Sequence, residues 1–272
     1  MVSAGCSRQQ QEKEDSWLEI VLSSRFRQNS ENPYASAVIA LNPFYSLVYR
    51  PLFFFDEELR LKSIFVESYS WNKNTLTLKL FPDACFSDGS QLTAYDVKIS
   101  LERSLREAKE PSPLFHYIVD SEPFLKEKWE HLPSISIINN QTLKIEFTEY
   151  IPDFMYYMGS IIFCILNHDY QKGVKFNGPF YLEHKVEKEN ETLLYLRPNP
   201  YYRLRTGRER PICLHFFRSE EKVREAVKNG TGDMFFEFMM QKEFEIHPSY
   251  RLHKAPMLGG FIGLINLQSG KF

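Results

Sequence analysis

One stretch of the chain constrains the fold more than any other, because it specifies a strand and then a turn. Residues 75–80, Thr-Leu-Thr-Leu-Lys-Leu, alternate strictly between apolar and polar side chains, which is the period of a strand with one buried face. Pro82 ends that strand, and the Asp-Gly pair within residues 87–90 indicates a turn. Any fold for this chain must therefore contain a half-buried sheet at this point.

A helix is predicted directly after the turn. Thr93 is a good N-cap residue, and Asp96 three positions later completes a capping box near the positive end of the helix dipole. Apolar side chains then recur every four residues at Val97, Leu101 and Leu105, which predicts one buried stripe along the helix.

The opposite side of this helix is predicted to be polar. Glu102 and Arg106 lie four residues apart there and should form a surface ion pair, and the helix should end by residues 110–111.

Strands and helices alternate over the rest of the chain without a long repeat, which indicates a mixed α/β fold. The further elements predicted are a strand at 17–22, a partly helical segment up to residue 55, hairpins at 134–147 and 178–197, a charged helix at 220–228 and a closing strand at 261–267.

Composition excludes several classes of protein. The chain has 272 residues, of which 43% are hydrophobic and 15% aromatic, so it can bury a core and is not intrinsically disordered. Its 33 basic and 35 acidic residues give a net charge of -2 without a basic block, which argues against nucleic acid as a partner. No apolar run reaches the ~18–20 residues of a membrane span.

No enzyme or cofactor motif stands out. Acidic residues are scattered, the seven histidines show no metal-binding spacing, and the four cysteines form no C-x-x-C pair, so we predict no catalytic residues, no metal site and no cofactor. Cys85, Cys164 and Cys213 are expected to be buried, inert thiols. The pairs Tyr45–Tyr49 and Tyr201–Tyr202 are interpreted as core residues, with an apolar cleft as the alternative.

The first residues have a pattern of their own. Small residues precede Cys6 and a polar run follows it, as at the end of a bacterial lipoprotein signal. In this interpretation Cys6 is acylated and residues 7–16 are a tether. The apolar region of such a signal is not within the sequence, and an ordinary disordered N-terminus is the alternative.

Residues 86–103, Phe-Ser-Asp-Gly-Ser-Gln-Leu-Thr-Ala-Tyr-Asp-Val-Lys-Ile-Ser-Leu-Glu-Arg, resemble a known family signature. It is that of the family 5 extracellular solute-binding proteins, the peptide, dipeptide and nickel receptors of ABC importers. In a later block at 196–202, Tyr202 stands where the family has a tryptophan. Further blocks similar to this family follow in order at 48–53, 66–71, 177–182, 196–202 and 227–233.

The resemblance implies a fold. It is an α/β mixed, periplasmic-binding-protein type II-like lobe I, with a mixed sheet, an inserted α+β subdomain and the second lobe missing. Residues 17–55 and 169–272 would form the sheet subdomain, and residues 56–168 the inserted one. The family closes two lobes around its ligand, and its acidic residue for a peptide's amino group belongs to the lobe that this chain lacks.

The resemblance also implies a function. The chain would be a monomeric, lipid-anchored, extracytoplasmic solute-binding component of an ABC importer, which binds an oligopeptide or similar small solute and delivers it to the permease subunits. Position in the family pattern suggests six ligand-binding residues: Asn32, Tyr34, Gly259, Gly260, Phe261 and Asn266. Two alternatives stay open, a secreted hydrolase with a hidden carboxylate pair and a truncated gene product without a transport role.

Overall fold

The computed structural model describes residues 17–22, 32–34, 42–56, 58–107, 113–236, 245 and 247–248. The predicted tether at 1–16 and the predicted strand at 261–267 lie outside these residues. Within the described part the strands are β1 Leu18–Leu22, β2 Phe54–Phe55, β3 Leu61–Lys62, β4 Val66–Asn72, β5 Thr75–Leu80, β6 Ile135–Asn139, β7 Thr142–Glu146, β8 Phe180–Glu187, β9 Glu191–Pro198, β10 Ile212–Phe217 and β11 Met234–Phe236. The α-helices are α1 Asn42–Val48, α2 Ala94–Glu107, α3 Ser121–Leu125, α4 Phe154–Tyr157 and α5 Glu220–Lys228.

One sheet has four antiparallel strands in the order β4-β5-β7-β6. The strand predicted from strict alternation is confirmed with the same bounds, and the hairpin predicted over 134–147 is confirmed as β6 and β7. Leu76, Leu78 and Leu80 are fully buried, as the alternation requires, and α2 packs across β6 and β7.

The predicted capping box of α2 is confirmed. The backbone N–H of Thr93 donates to Asp96 Oδ2 at 2.8 Å, the Thr93 hydroxyl donates to the same oxygen at 2.6 Å, and the Asp96 N–H lies 3.4 Å from Thr93 Oγ1. The stripe of Val97, Leu101 and Leu105 is buried, at most 1% exposed. The first turn of α2 is therefore stabilised mainly by the Asp96 carboxylate.

The predicted surface pair on α2 is wrong. Glu102 is buried, where it accepts a hydrogen bond from the backbone N–H of Leu132 at 2.7 Å and contacts His131 Nδ1 at 2.9 Å. Arg106 instead donates to the Trp129 carbonyl at 2.6 Å. The connection between α3 and β6 covers this side of the helix, and no periodicity within the helix reveals that cover.

A second sheet has five strands in the order β11-β1-β10-β9-β8, and β2 with β3 forms a small two-stranded sheet. The predicted strand at 17–22 and the predicted hairpin at 178–197 are confirmed, and the charged helix at 220–228 is α5. Strand β1 pairs in parallel with β10 and β11, whereas the other pairs are antiparallel. The sheet is therefore mixed, as the fold class requires.

Two buried clusters accompany the two sheets. The larger one joins the four-stranded sheet to α2, and the second joins the five-stranded sheet to α1. On the opposite face of the five-stranded sheet, Val21 packs against Val223 and Val227 of α5. No helix in the described part of the chain is long and apolar enough to cross a membrane.

The predicted burial of the cysteines is confirmed for two of the three residues. Cys164 and Cys213 are buried, and burial raises the pKa of both thiols, with the nearby Glu19 carboxylate helping to raise the pKa of Cys213 to about 12. Cys85 is only partly buried, so that part of the prediction is wrong. Its partial burial, with Asp83 and Asp88 nearby, still raises the pKa of its thiol.

Candidate functional site

Four of the blocks that resemble the family, at 48–53, 86–103, 177–182 and 196–202, meet at one junction between the two larger sheets. Asn177 is buried there, accepts the backbone N–H of Arg50 at 2.9 Å and donates to the Ile165 carbonyl at 2.8 Å. Asn199 is also buried and donates to the Gly178 carbonyl at 2.8 Å. These two side chains join backbone segments that are far apart in sequence, so they hold the junction and are not exposed to a ligand.

Two glycines of these blocks are required by close approach. A Cβ on Gly178 would lie 2.5 Å from the carbonyl oxygen of Leu47, so a side chain would displace the backbone of α1. Gly89 has a φ of +81°, and its Cβ would lie 2.8 Å from the Tyr201 ring. The turn after β5 therefore packs against the block that follows β9.

The two predicted tyrosine pairs differ: Tyr201 is half exposed, so the interpretation as a core residue is wrong there. Tyr45 and Tyr49 are buried core residues, as predicted. Tyr202 accepts a hydrogen bond from Arg50 Nε at 3.0 Å, and the space beside Tyr201 and Tyr202 has a volume of about 10 Å³. A space of that size holds one water molecule at most, so the alternative of an apolar cleft for a solute is not supported at this place.

Two of the predicted ligand-binding residues, Asn32 and Tyr34, lie on a short described segment. Asn32 Oδ1 accepts the Tyr34 N–H at 3.0 Å, and Asn32 Nδ2 donates to Glu107 Oε2 at 2.8 Å. The Tyr34 ring is buried, and its hydroxyl donates to the Cys164 carbonyl at 2.5 Å. Both side chains thus attach the segment to α2 and to the core, and their contact with a ligand stays a prediction.

An arginine beneath this segment was missed by sequence reasoning. Arg103 of α2 donates from Nε and Nη2 to Glu107 at 2.6 and 3.0 Å, and its guanidinium lies 3.4 Å from the centre of the Tyr170 ring and 5.1 Å from that of Tyr34. Its Nη1 atom is buried without a hydrogen-bond partner among the described residues. The family signature ends at Arg103, but only the tertiary structure brings Tyr34 to it.

The carboxylate of Glu107 completes this cluster. Partial burial alone would raise the pKa of Glu107, but the hydrogen bonds from Arg103 and Asn32 outweigh it and hold the pKa below its usual value. The segment is thus attached to an ionised pair on α2. The other predicted site residues, Gly259, Gly260, Phe261 and Asn266, and the predicted lipidation site Cys6, lie outside the described residues.

The fold defines the class of protein first. Two sheets with separate cores, joined at a buried junction, match one part of several solved solute receptors. The murein tripeptide binding protein MppA of Escherichia coli superposes with a TM-score of 0.68 at 18% identity, over 82% of this chain and 46% of that one. OppA of Listeria monocytogenes bound to peptide gives 0.65 at 19% identity over 80% and 46%. OppA of Haemophilus influenzae gives 0.64 at 17% identity over 81% and 46%.

The sequence then defines the family. Residues 61–269 match the model of the middle region of the bacterial extracellular solute-binding proteins, family 5. The chain belongs to this family, and the predicted fold class is confirmed. It spans about half the length of the solved relatives it matches. No curated protein sequence matches it.

Proposed function

We propose that the chain forms one wall of the binding cleft of an oligopeptide receptor that serves an ABC importer. The family match over residues 61–269 carries this proposal. The fold supports the proposal, because solved proteins with this fold include a tripeptide binding protein and an OppA bound to peptide. Hinge closure of two lobes would trap the solute and present it to the permease subunits.

The two sheets support a division into subdomains. We propose that residues 17–55 and 169–272 form the sheet subdomain of lobe I and that residues 56–168 form the inserted subdomain. The larger buried cluster draws its members from Leu52 to Ile165, and the second draws most of its members from residues on both sides of that range. The exceptions lie next to the proposed boundaries: Leu52 and Phe53 belong to the larger cluster, and Cys164 and Leu166 to the second.

For ligand binding we propose main-chain contacts. Peptides add to a strand edge by backbone hydrogen bonds, and water fills roomy side-chain pockets. Because Asn32 and Tyr34 direct their side chains inward, their part would be to hold the backbone of residues 32–34 in place for the peptide. Gly259, Gly260, Phe261 and Asn266 would supply the second strand edge, next to the hinge.

The proposed receptor has no turnover and is anchored outside the cytoplasm by lipid on Cys6. A secreted hydrolase is the alternative, and a screen with glycan and ester substrates separates the two. The receptor shows no product at any pH, whereas sustained turnover would establish the hydrolase.

Incorporation of labelled palmitate, with a full signal placed upstream, tests the lipid anchor: Cys6→Ser should abolish the incorporation. Unlabelled wild-type protein in the medium would contradict the anchor.

Calorimetry with a mixed library of di- to pentapeptides tests the binding function. One lobe covers about half of a ligand, and each lost hydrogen bond forgoes about 1 kcal/mol. Four or five lost contacts weaken a micromolar site by roughly three orders of magnitude. We expect the chain alone to bind peptides no better than millimolar, and a chain extended through a second lobe to recover micromolar affinity. Micromolar binding by the chain alone would contradict the clamp.

A matched pair of variants tests the proposed part of the 32–34 segment. In the extended protein, Asn32→Ala removes the bonds to Tyr34 and Glu107 and should weaken peptide binding about tenfold, about 1.4 kcal/mol. Asn139→Ala removes a similar turn bond, to the Gln141 N–H at 2.9 Å, far from this segment. It should leave affinity unchanged. Equal affinities for the two variants would remove residues 32–34 from the site.

A further inference from the structure

A cluster of metal-ligating side chains lies on the five-stranded sheet, on the face that carries α5. Glu19 of β1 is opposite Cys213 of β10 in the parallel register, and His215 follows on the same face two residues later. One ligand atom from each of the three residues lies within 4.8 Å of the others. Spacing along the sequence could not reveal this group, because Glu19 comes from a distant strand.

A further carboxylate fixes the histidine ring. His215 Nε2 contacts the Glu19 carboxylate, and His215 Nδ1 lies 3.2 Å from Glu191 Oε2. Lys188 donates to the other oxygen of Glu191 at 2.7 Å and holds it there. A carboxylate on one ring nitrogen is the usual partner of a histidine whose other nitrogen binds a metal, because it sets the tautomer and the ring orientation.

We propose that Glu19, Cys213 and His215 bind a divalent transition-metal ion of the zinc type, with Glu191 as a positioning residue. Thiolate, imidazole and carboxylate together are a zinc ligand set, and three protein ligands leave one position for water. As the sulfur–metal bond forms, the Cys213 thiol releases its proton to solvent, because the cation favours the thiolate even where burial otherwise opposes it.

Access to the site is open on one side. The Glu19 side chain is 37% exposed, whereas that of His215 is 12% exposed, so an ion could enter past Glu19 and be held by buried groups. Glu191 also lines a groove of about 420 Å³ between α5 and the turn that joins β8 to β9. This inference is independent of the proposed peptide binding.

The competing explanation is a charged histidine between two carboxylates without a metal. Among the described residues, three other histidine–carboxylate contacts have no thiol in a metal-ligating group with them: His131 with Glu102, His168 with Asp96 and His184 with Glu183. The buried sulfur of Cys213 therefore distinguishes the proposed site, and a probe that reports a sulfur–metal bond separates the two explanations.

The test uses the whole chain, stripped with a chelator and titrated with Co²⁺ or Zn²⁺ alone. We expect one ion per chain and, with Co²⁺, a thiolate-to-cobalt charge-transfer absorption. Cys213→Ser should abolish that absorption, and His215→Gln should weaken Zn²⁺ binding at least tenfold. Glu191→Gln should weaken it about 10–100-fold, as other changes of this type do. Cys85→Ser and His131→Ala are matched controls that should bind like the wild type.

Two results would overturn the proposal. One is absence of the charge-transfer absorption from wild-type protein at saturating Co²⁺. The other is equal Zn²⁺ affinity in the wild type and the Cys213→Ser, His215→Gln double variant. Thermal unfolding of each variant in chelator shows whether it folds. If a single substitution unfolds the chain, Glu19→Gln replaces it, with the same expected loss of Zn²⁺ affinity.

Discussion

The two larger sheets in the described part of this molecule are assembled in different ways. In the four-stranded sheet all pairs are antiparallel, and β4 with β5 and β6 with β7 are hairpins of consecutive strands. In the five-stranded sheet, β1 pairs in parallel with β10 and β11, strands from the far end of the described chain. Local pairing shows in the sequence as alternation and turn residues, whereas distant parallel pairing leaves no such pattern.

The two sheets also depend on polar groups to different degrees. Buried Asp96 and Glu102 on α2 accept backbone hydrogen bonds from His168 and Leu132 beside the four-stranded sheet. Beside the five-stranded sheet, the buried polar side chains among the described residues are uncharged: Asn177, Thr192 and Asn199. Substitutions of buried carboxylates should therefore act on the first unit, and steric changes at the junction should act on both.

The largest effect is expected for Gly178→Ala. The added methyl would lie 2.5 Å from the Leu47 carbonyl oxygen, so α1 or the start of β8 must move, and we expect a loss of about 3 kcal/mol or more in the free energy of unfolding. Gly173→Ala is the comparison, because its Cβ would meet nothing within 4 Å and its φ of +151° makes any loss there backbone strain without a clash. Urea unfolding of both variants measures the difference, and equal losses would contradict a packing role for Gly178.

Asp96→Ala should have the next largest effect, about 2 kcal/mol. It leaves the backbone N–H groups of Thr93 and His168 without their acceptor, and an unsatisfied buried donor costs about 1–3 kcal/mol. Asp88→Ala removes a half-exposed acceptor of the preceding turn and serves as control. If the two variants unfold at the same urea concentration, the buried carboxylate stabilises α2 and the four-stranded sheet no more than the exposed one does.

A smaller effect is expected at the cap itself. Thr93→Ala removes the hydroxyl that bonds Asp96 but leaves the Thr93 N–H bond, and it should cost about 1 kcal/mol. Thr93→Ser keeps the hydroxyl and should be nearly silent. Thermal unfolding of the three proteins decides this, since identical melting temperatures for Thr93→Ala and the wild type would contradict the capping assignment.

The smallest effect is expected in acid, at Glu107. Its pKa is lowered in the folded state, so its contribution is fully present above the unfolded pKa of about 4.3 and is lost as the pH falls through the lower folded value. The group is partly exposed, and we expect less than about 1 kcal/mol. Between about pH 5 and 3, Glu107→Gln should lose less stability than the wild type. An equal loss in both would show that the Arg103–Glu107 pair adds no stability.

Sequence alone determined the elements whose signals are local. Residues 75–80 alternate strictly, the turn and capping box follow, and the hairpin strands are bounded by turn residues. Each of these patterns extends over only a few positions, so it predicts an element without knowledge of the segment that packs against it. The family blocks identified the same elements and predicted the fold class correctly.

Tertiary structure alone decided what those elements touch. Strand β10, Ile-Cys-Leu-His-Phe-Phe, has no bounds in the sequence analysis because its mostly apolar run lacks strict alternation. The periodicity of α2 predicted Glu102 on the surface, but the chain around Leu132 covers it. Asn32 donates a hydrogen bond to Glu107, which is 75 residues away in the sequence. Such contacts depend on chain segments brought together by burial, and the periodicity of one segment carries no information about which other segment will cover it.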